Sequence, residues 1–286
     1  MTYKKHIDIK QVIKTKSPKL YKYLPGFFLN YIIRKLHQDD INYGIHLMKD
    51  KFGHDFNKAG LDYVGAKVKW HGLENIPTQG KVIVAANHPL GGLDGMALIH
   101  AVSQVRTDTV SFVNDVLKNL ENYGDLLVGV NKVGNSSNTA LKVVVDEYST
   151  DKAIIVFPAG LVSRKQKGKV QDLEWKKSFV SKALQYQSPI IPTFIHGKNS
   201  KFFYNFAMWR KRLGIKANIE MFFLPDEMFS QTNKDIHIQF GSPIAPELLD
   251  DSRTPKQWAQ VIKGYIYSEQ FHNGVPFDKY IKHHRH

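Results

Sequence analysis

Residues 82–95 read Val82-Ile83-Val84-Ala85-Ala86-Asn87-His88-Pro89-Leu90-Gly91-Gly92-Leu93-Asp94-Gly95. The first five are apolar throughout, the pattern of a strand covered on both faces. At Asn87 the apolar run stops, a glycine-rich turn follows, and Asp94 stands where a helix can begin. In α/β sheets the residues just past a strand's carboxyl end are where sites are placed. His88 is the group in this turn whose ordinary pKa lies near neutrality, which suits a general base. Asp94 can accept a hydrogen bond from it, fixing its tautomer and stabilising the imidazolium. The glycines allow the turn to close so that the two meet. A plainer reading of the same residues stays open: Asp94 caps a helix and His88 is an ordinary loop histidine.

Working outward, residues 64–70 alternate Val64, Ala66, Val68 and Trp70 with Gly65, Lys67 and Lys69, a strand pattern. Further apolar strands are expected over 109–113, 126–130, 153–157, 189–194, 219–224 and 236–240. Helices are expected over 94–105, 136–148, 173–186, 200–213 and 254–271. Strands alternating with helices predict an α/β fold: a mixed, mostly parallel sheet with helices on its faces. Prolines at both ends of 189–192 mark that strand as punctuated rather than central. Upstream, Ser17-Pro18 opens a helical stretch over 17–37 that Pro25-Gly26 bends or splits. Asp39-Asp40 can cap a second helix, in which Ile41, Ile45, Met48, Phe52 and Phe56 fall on one face and Gly60 marks the end. The domain reading is an N-terminal helical segment, 1–63, and an α/β domain, 64–286.

The chain has 286 residues, 42% apolar, with no cysteine. That excludes a disordered chain, a disulfide framework, a cysteine nucleophile and cysteine-based zinc sites. No apolar run is long enough for a spanning helix and the N-terminus lacks a signal's apolar core, so a cytoplasmic protein is expected. The net charge is +14, and residues 1–70 and 161–216 carry all of the excess. Such segments suit an anionic membrane surface, nucleic acid or an acidic partner, or are simply solvated lysine-rich faces. In 17–37, Phe27, Phe28 and Ile32 lie among Lys19, Lys22, Arg34 and Lys35, which fits a helix in a membrane interface or, equally, a core-packing hairpin. Aromatic and basic residues also interleave over 201–212, but no nucleic-acid motif accompanies them, so no nucleic-acid partner is expected. The tail His283-His284-Arg285-His286 has nothing to fix it as a metal site.

Two further blocks bear on chemistry. Phe157-Pro158-Ala159-Gly160-Leu161-Val162-Ser163-Arg164 follows a buried strand, and a guanidinium held beyond a strand end suits bidentate phosphate binding. Lys165, Lys167 and Lys169 read as a solvated basic loop. Ser188-Pro189-Ile190-Ile191-Pro192-Thr193-Phe194 can line a site but carries no chemistry itself.

In order and spacing, these three blocks resemble the glycerolipid and lysophospholipid acyltransferase (PlsC-like) superfamily over roughly residues 64–245. The wording NHPLGGLDG resembles its hemolysin-like branch, which includes O-acyltransferases that finish ornithine- or glycine-type aminolipids. The resemblance implies that His88 deprotonates an acceptor hydroxyl, which attacks an acyl thioester, and that Asp94 orients His88. It implies that Arg164 holds the acceptor's anionic head group. Ser163 and the backbone of Gly160 line that pocket, and Asn87, Gly91 and Gly92 belong to the same substrate site. The region 125–132 falls where the family's second block lies, with Lys132 standing in for its basic residue. No metal or cofactor is implied. The co-substrate is an acyl thioester on acyl carrier protein or coenzyme A, the acceptor a lysolipid, and the location the cytoplasmic side of the inner membrane, bound peripherally. Three departures stand out. Five residues separate His88 from Asp94 where the family has four, Ala159 replaces the usual Glu, and the second block lacks its usual Arg. The Ala159 change motivates an alternative, a non-catalytic lipid- or membrane-binding protein on the same fold.

Overall fold

The structure is a computed structural model and describes residues 6–16, 18–113, 120–129, 137–166, 168–216 and 218–283. Five helices come first: α1 (Ile9–Lys16), α2 (Pro18–Tyr23), α3 (Gly26–Lys35), α4 (Gln38–Leu47) and α5 (Gly53–Val64). Then follow β1 (Lys67–His71), β2 (Val82–Ala86), α6 (Gly92–Val102), β3 (Thr109–Val113), β4 (Leu127–Gly129), α7 (Ser137–Ser149) and β5 (Ala153–Val156). A short hairpin, β6 (Arg164–Gln166) and β7 (Lys169–Gln171), precedes α8 (Ser178–Tyr186), β8 (Ile190–His196), α9 (Lys201–Arg212) and α10 (Leu224–Phe229). The chain closes with β9 (Asp235–Phe240), α11 (Pro255–Ile266), α12 (Glu269–His272) and α13 (Phe277–His283).

Seven strands form one sheet in the order β1-β9-β8-β2-β5-β3-β4. Every neighbouring pair is parallel except β8 and β9. The fold is therefore a mixed, mostly parallel α/β sheet. β2 lies between β5 and β8, and its alternate residues serve two cores. Val82, Val84 and Ala86 pack with Phe56 and Leu61 of α5 and Leu93 and Ala97 of α6. Ile83 and Ala85 face the other way, against Phe179 of α8 and Trp258, Ile262 and Ile266 of α11. Burial on both faces explains why β2 shows no polar alternation. The register pairs Ala85 with Val156 and Ala86 with Thr193, so the carboxyl ends of β2, β5 and β8 lie side by side.

Several boundaries differ from the sequence reading, each for a local reason. The stripe at 41–56 spans two helices, because the chain turns between Leu47 and Gly53, where Gly53 takes φ +56°. Ile45, Met48 and Phe56 are buried as expected, but Phe52 sits in the turn and is 65% exposed. Gly60 lies inside α5, which ends at Gly65 with φ +75°. Residues 219–224 are not a strand: a 3-10 turn over Ile219–Phe223 runs into α10, which has Pro225 in its first turn with Asp226 and Glu227, favourable for a helix N-terminus. The terminal helix breaks after Ile266, where Ser268 caps α12 by accepting the Phe271 N–H at 3.2 Å. β8 is a central strand although it contains Pro192. Thr193 pairs with Phe240, whereas Ile190 bridges Ile244, so the partner chain gains one residue. Pro192, which has no N–H to donate, falls at that bulge, and its carbonyl still accepts from Gly241 N at 2.8 Å.

Candidate active site

The site grows from the end of β2. Asn87 Nδ2 donates to the Ile195 carbonyl at 2.9 Å, and Ile195 N donates to Asn87 Oδ1 at 2.6 Å. The side-chain amide thus adds a rung between β2 and β8 and fixes where the chain leaves the sheet. His88 is held at the backbone by both later segments. Its N–H donates to Asp172 Oδ1 at 3.1 Å and its carbonyl accepts from Ser163 N at 2.8 Å. The imidazole stacks on Phe157, with centroids 4.3 Å apart.

Asp94 completes the pair. Its Oδ2 lies 3.0 Å from His88 Nδ1 and accepts the N–H groups of Leu90 at 2.7 Å and Gly91 at 3.0 Å. One carboxylate therefore both closes the helix N-terminus and partners the histidine. The five-residue spacing closes because Gly91 takes φ +77°, a conformation glycine adopts without cost. A Cβ on Gly91 would also stand 3.1 Å from Leu224 Cδ1, whereas one on Gly92 would meet open space. Asp94 is fully buried and His88 is 18% exposed at its side chain. Burial raises the Asp94 carboxyl above its usual range, against the opposing pull of the His88 hydrogen bond and charge. With Nδ1 donating to Asp94, the lone pair of the neutral imidazole lies on Nε2. Among the described residues nothing hydrogen-bonds Nε2, the arrangement a general base needs.

The second block wraps the same edge. Gly160 takes φ +64°, and a Cβ there would lie 2.7 Å from Lys176 Nζ. Ala159 is buried. Ser163 is buried too, and its hydroxyl donates to Asp172 Oδ1 at 2.6 Å. Arg164 begins β6, one residue from the contact with His88, so the two stand at one edge of the sheet. Its guanidinium is not open. Nη2 donates to Glu220 Oε1 at 2.7 Å, Nη1 donates to the Val162 carbonyl at 2.6 Å, and the group lies 5.1 Å over the Phe203 ring. Burial lowers its pKa, while Glu220 opposes the shift. Arg210 Nε pairs with the other Glu220 oxygen at 2.7 Å. Two guanidinium groups share one carboxylate, which leaves the triad one net positive charge. Lys132 lies outside the described residues.

Two residues that motif reading missed hold this edge together. Asp172 is fully buried and accepts from His88 N, the Ser163 hydroxyl and Trp175 Nε1 (2.8 Å). Its own carbonyl accepts from Lys263 Nζ at 2.5 Å. Glu220 neutralises Arg164 as described. Both left a signal: Asp172 is one of two acids in the basic segment 161–216, and Glu220 interrupts an apolar run.

A mixed, mostly parallel sheet thus carries, just past one strand end, a histidine hydrogen-bonded to a buried carboxylate, an arrangement compatible with acyl-transfer chemistry. Residues 11–268 match the family model described as Acyltransferase, and the chain belongs to that family. Two curated relatives are named lyso-glycine lipid O-acyltransferase. The protein from Bacteroides thetaiotaomicron is 43% identical over 262 residues, covering 91% of this chain and 96% of its own. That from Phocaeicola vulgatus is also 43% identical over 262 residues, covering 91% of this chain and 94% of its own. Among solved structures, the 1-acyl-sn-glycerophosphate acyltransferase PlsC of Thermotoga maritima aligns with a TM-score of 0.48 at 17% identity, over 89% of this chain and 94% of its own. The chain is an acyltransferase.

Proposed function

We propose that this enzyme moves a fatty acyl group from a thioester, on acyl carrier protein or coenzyme A, to the free hydroxyl of a glycine-type lysolipid. The 43% identity to two lyso-glycine lipid O-acyltransferases, along nearly their whole length, supports the acceptor. The observation that carries the mechanism is the 3.0 Å contact of His88 Nδ1 with buried Asp94, with Nε2 free of partners among the described residues. Nε2 takes the proton of the acceptor hydroxyl as its oxygen attacks the thioester carbonyl carbon. The imidazolium that forms is stabilised by Asp94. When the tetrahedral intermediate collapses, the C–S bond breaks and Nε2 returns the proton to the departing thiolate. The products are an ester and a free thiol. The net positive charge shared by Arg164, Arg210 and Glu220 would attract the acceptor's anionic head group through its field, since the guanidinium of Arg164 is itself buried and engaged.

The acceptor is a membrane lipid, and the enzyme meets it as a peripheral protein on the cytoplasmic face of the inner membrane. Phe27 and Phe28 on α3 and Phe202 and Trp209 on α9 are exposed beside Lys22, Arg34, Lys201, Lys211 and Arg212. No helix among the described residues is long and apolar enough to cross a membrane. Large exposed apolar side chains beside cations suit the interface. The test supplies acyl carrier protein and coenzyme A thioesters to the enzyme with a panel of lysolipids, following ester product and free thiol together. Equimolar ester and thiol with lyso-glycine lipid is the expected result. Absence of both with every pair would overturn the reading.

A further inference from the structure

Near the His88 edge lies a cavity of about 790 Å³. It opens between the β6–β7 hairpin, the start of α9 and the segment after α10, and Lys165, Lys198, Lys201 and Lys234 line it. No acidic residue lines it, and among the described residues none of the four ammonium groups has a carboxylate partner. Glu227, the nearest acid to the α9 start, is buried and committed to Ser200, accepting from its N–H at 2.7 Å and its hydroxyl at 2.5 Å.

Asn199 supplies an independent sign. It lines the same cavity and is 4% exposed, yet neither its side-chain nitrogen nor its oxygen has a hydrogen-bond partner. Its backbone N–H is satisfied by Tyr204 Oη at 3.0 Å, so the amide alone is unmet. A buried amide with no protein partner is costly, and a polar ligand in this cavity would satisfy it. The cavity adjoins the chemistry. Gly197, next to Lys198, lies against Leu90, where a Cβ would be 2.8 Å from Leu90 Cδ1, and Lys165 follows Arg164 directly.

We infer that this cavity binds the phosphate-bearing arm of the acyl donor. The inference rests on the proposed reaction, in which the donor is a thioester. Four unpaired lysines select a polyanion rather than a neutral chain. The volume exceeds what a lone carboxylate or inorganic phosphate fills and lies in the range of small-molecule sites. A phosphorylated pantetheine arm has both properties, and its anchor must lie within reach of His88 for its thioester to arrive there. Asn199 then donates to a phosphate oxygen or amide carbonyl of the arm. Both carriers offer this chemistry: coenzyme A adds nucleotide phosphates, whereas a carrier protein presents phosphopantetheine alone.

Isothermal titration of the full chain with coenzyme A, 4′-phosphopantetheine and inorganic phosphate separates these sources. Wild type and His88→Ala should bind the preferred arm equally well and more tightly than inorganic phosphate. Asn199→Leu and the double variant Lys198→Gln/Lys201→Gln should each weaken it by about tenfold or more. Circular dichroism melts establish that the variants are folded, and Asn199→Leu removes an unmet polar group rather than a contact. Equal affinity for coenzyme A and phosphopantetheine identifies the arm's own phosphate as the ligand. Tighter coenzyme A binding identifies the nucleotide phosphates. Binding of neither arm above the level of inorganic phosphate, or unchanged binding by folded variants, would overturn the inference. So would variants that raise KM for the lysolipid while leaving the donor KM unchanged. Donor binding without transfer to any lysolipid would refute the proposed reaction and leave the cavity assignment standing.

Discussion

Asp94 shows what a single residue is asked to do. One buried carboxylate oxygen accepts the Leu90 and Gly91 N–H groups and faces His88 Nδ1, while the other oxygen has no partner. Burial raises the Asp94 pKa, so its ionised form is a cost to the fold at neutral pH, partly offset by its contact with His88. Asp94→Asn keeps the shape and removes the charge. Its expected effect is a fall in kcat of about 10²-fold, smaller than that of His88→Ala, because it mis-sets a tautomer rather than deleting the base. Thermal melting should change little. Steady-state kinetics on the folded variant decides this; an unchanged kcat would mean another group orients His88.

At the scale of elements, the site depends on three segments meeting at one sheet edge, and Asp172 is where they are tied. Removing its carboxylate leaves His88 N, the Ser163 hydroxyl and Trp175 Nε1 without an acceptor. Asp172→Ala should cost about 3–5 kcal/mol of stability, read by denaturant unfolding, since buried donors would be stranded. A loss under 1 kcal/mol would contradict the role given to it. Much of this architecture was legible beforehand. The unbroken apolar run of β2 announced a strand covered twice, and the glycine turn announced the contact of His88 with Asp94. What escaped depended on contacts distant in sequence. Nothing local to Asp172 reveals that it will sit under His88, 84 residues earlier. The apolar residues at 219–224 suit a strand until the first turn of α10 and the pairing of Glu220 with Arg164 and Arg210 decide otherwise. Prolines at both ends of 189–192 argued against a central strand because the bulge that accommodates Pro192 belongs to the segment after β9.

For the whole molecule, the pH dependence of stability should report on partly buried histidines, and vesicle binding on exposed apolar and basic side chains. Burial lowers the pKa of His100, His196 and His272 below their ordinary 6.5. The unfolded chain therefore binds protons more readily than the native one, and stability rises with pH across that window. The protein should be more stable at pH 7.5 than at pH 5.5 in calorimetric scans; a Tm that rises on acidification would contradict this. Liposome flotation should show stronger binding to anionic than to neutral vesicles, weakened but not abolished by salt, because attraction to Lys and Arg is screened while burial of Phe27 and Phe28 is not. Equal flotation with both vesicle types would remove the electrostatic part. The most direct measurement of transfer compares wild type and His88→Ala with acyl thioester and lyso-glycine lipid, quantifying ester product by mass spectrometry after circular dichroism has shown both to be folded. The variant is expected to lose about 10²–10⁴-fold in transfer rate; a folded His88→Ala protein that transfers at the wild-type rate would contradict the role of His88 as general base.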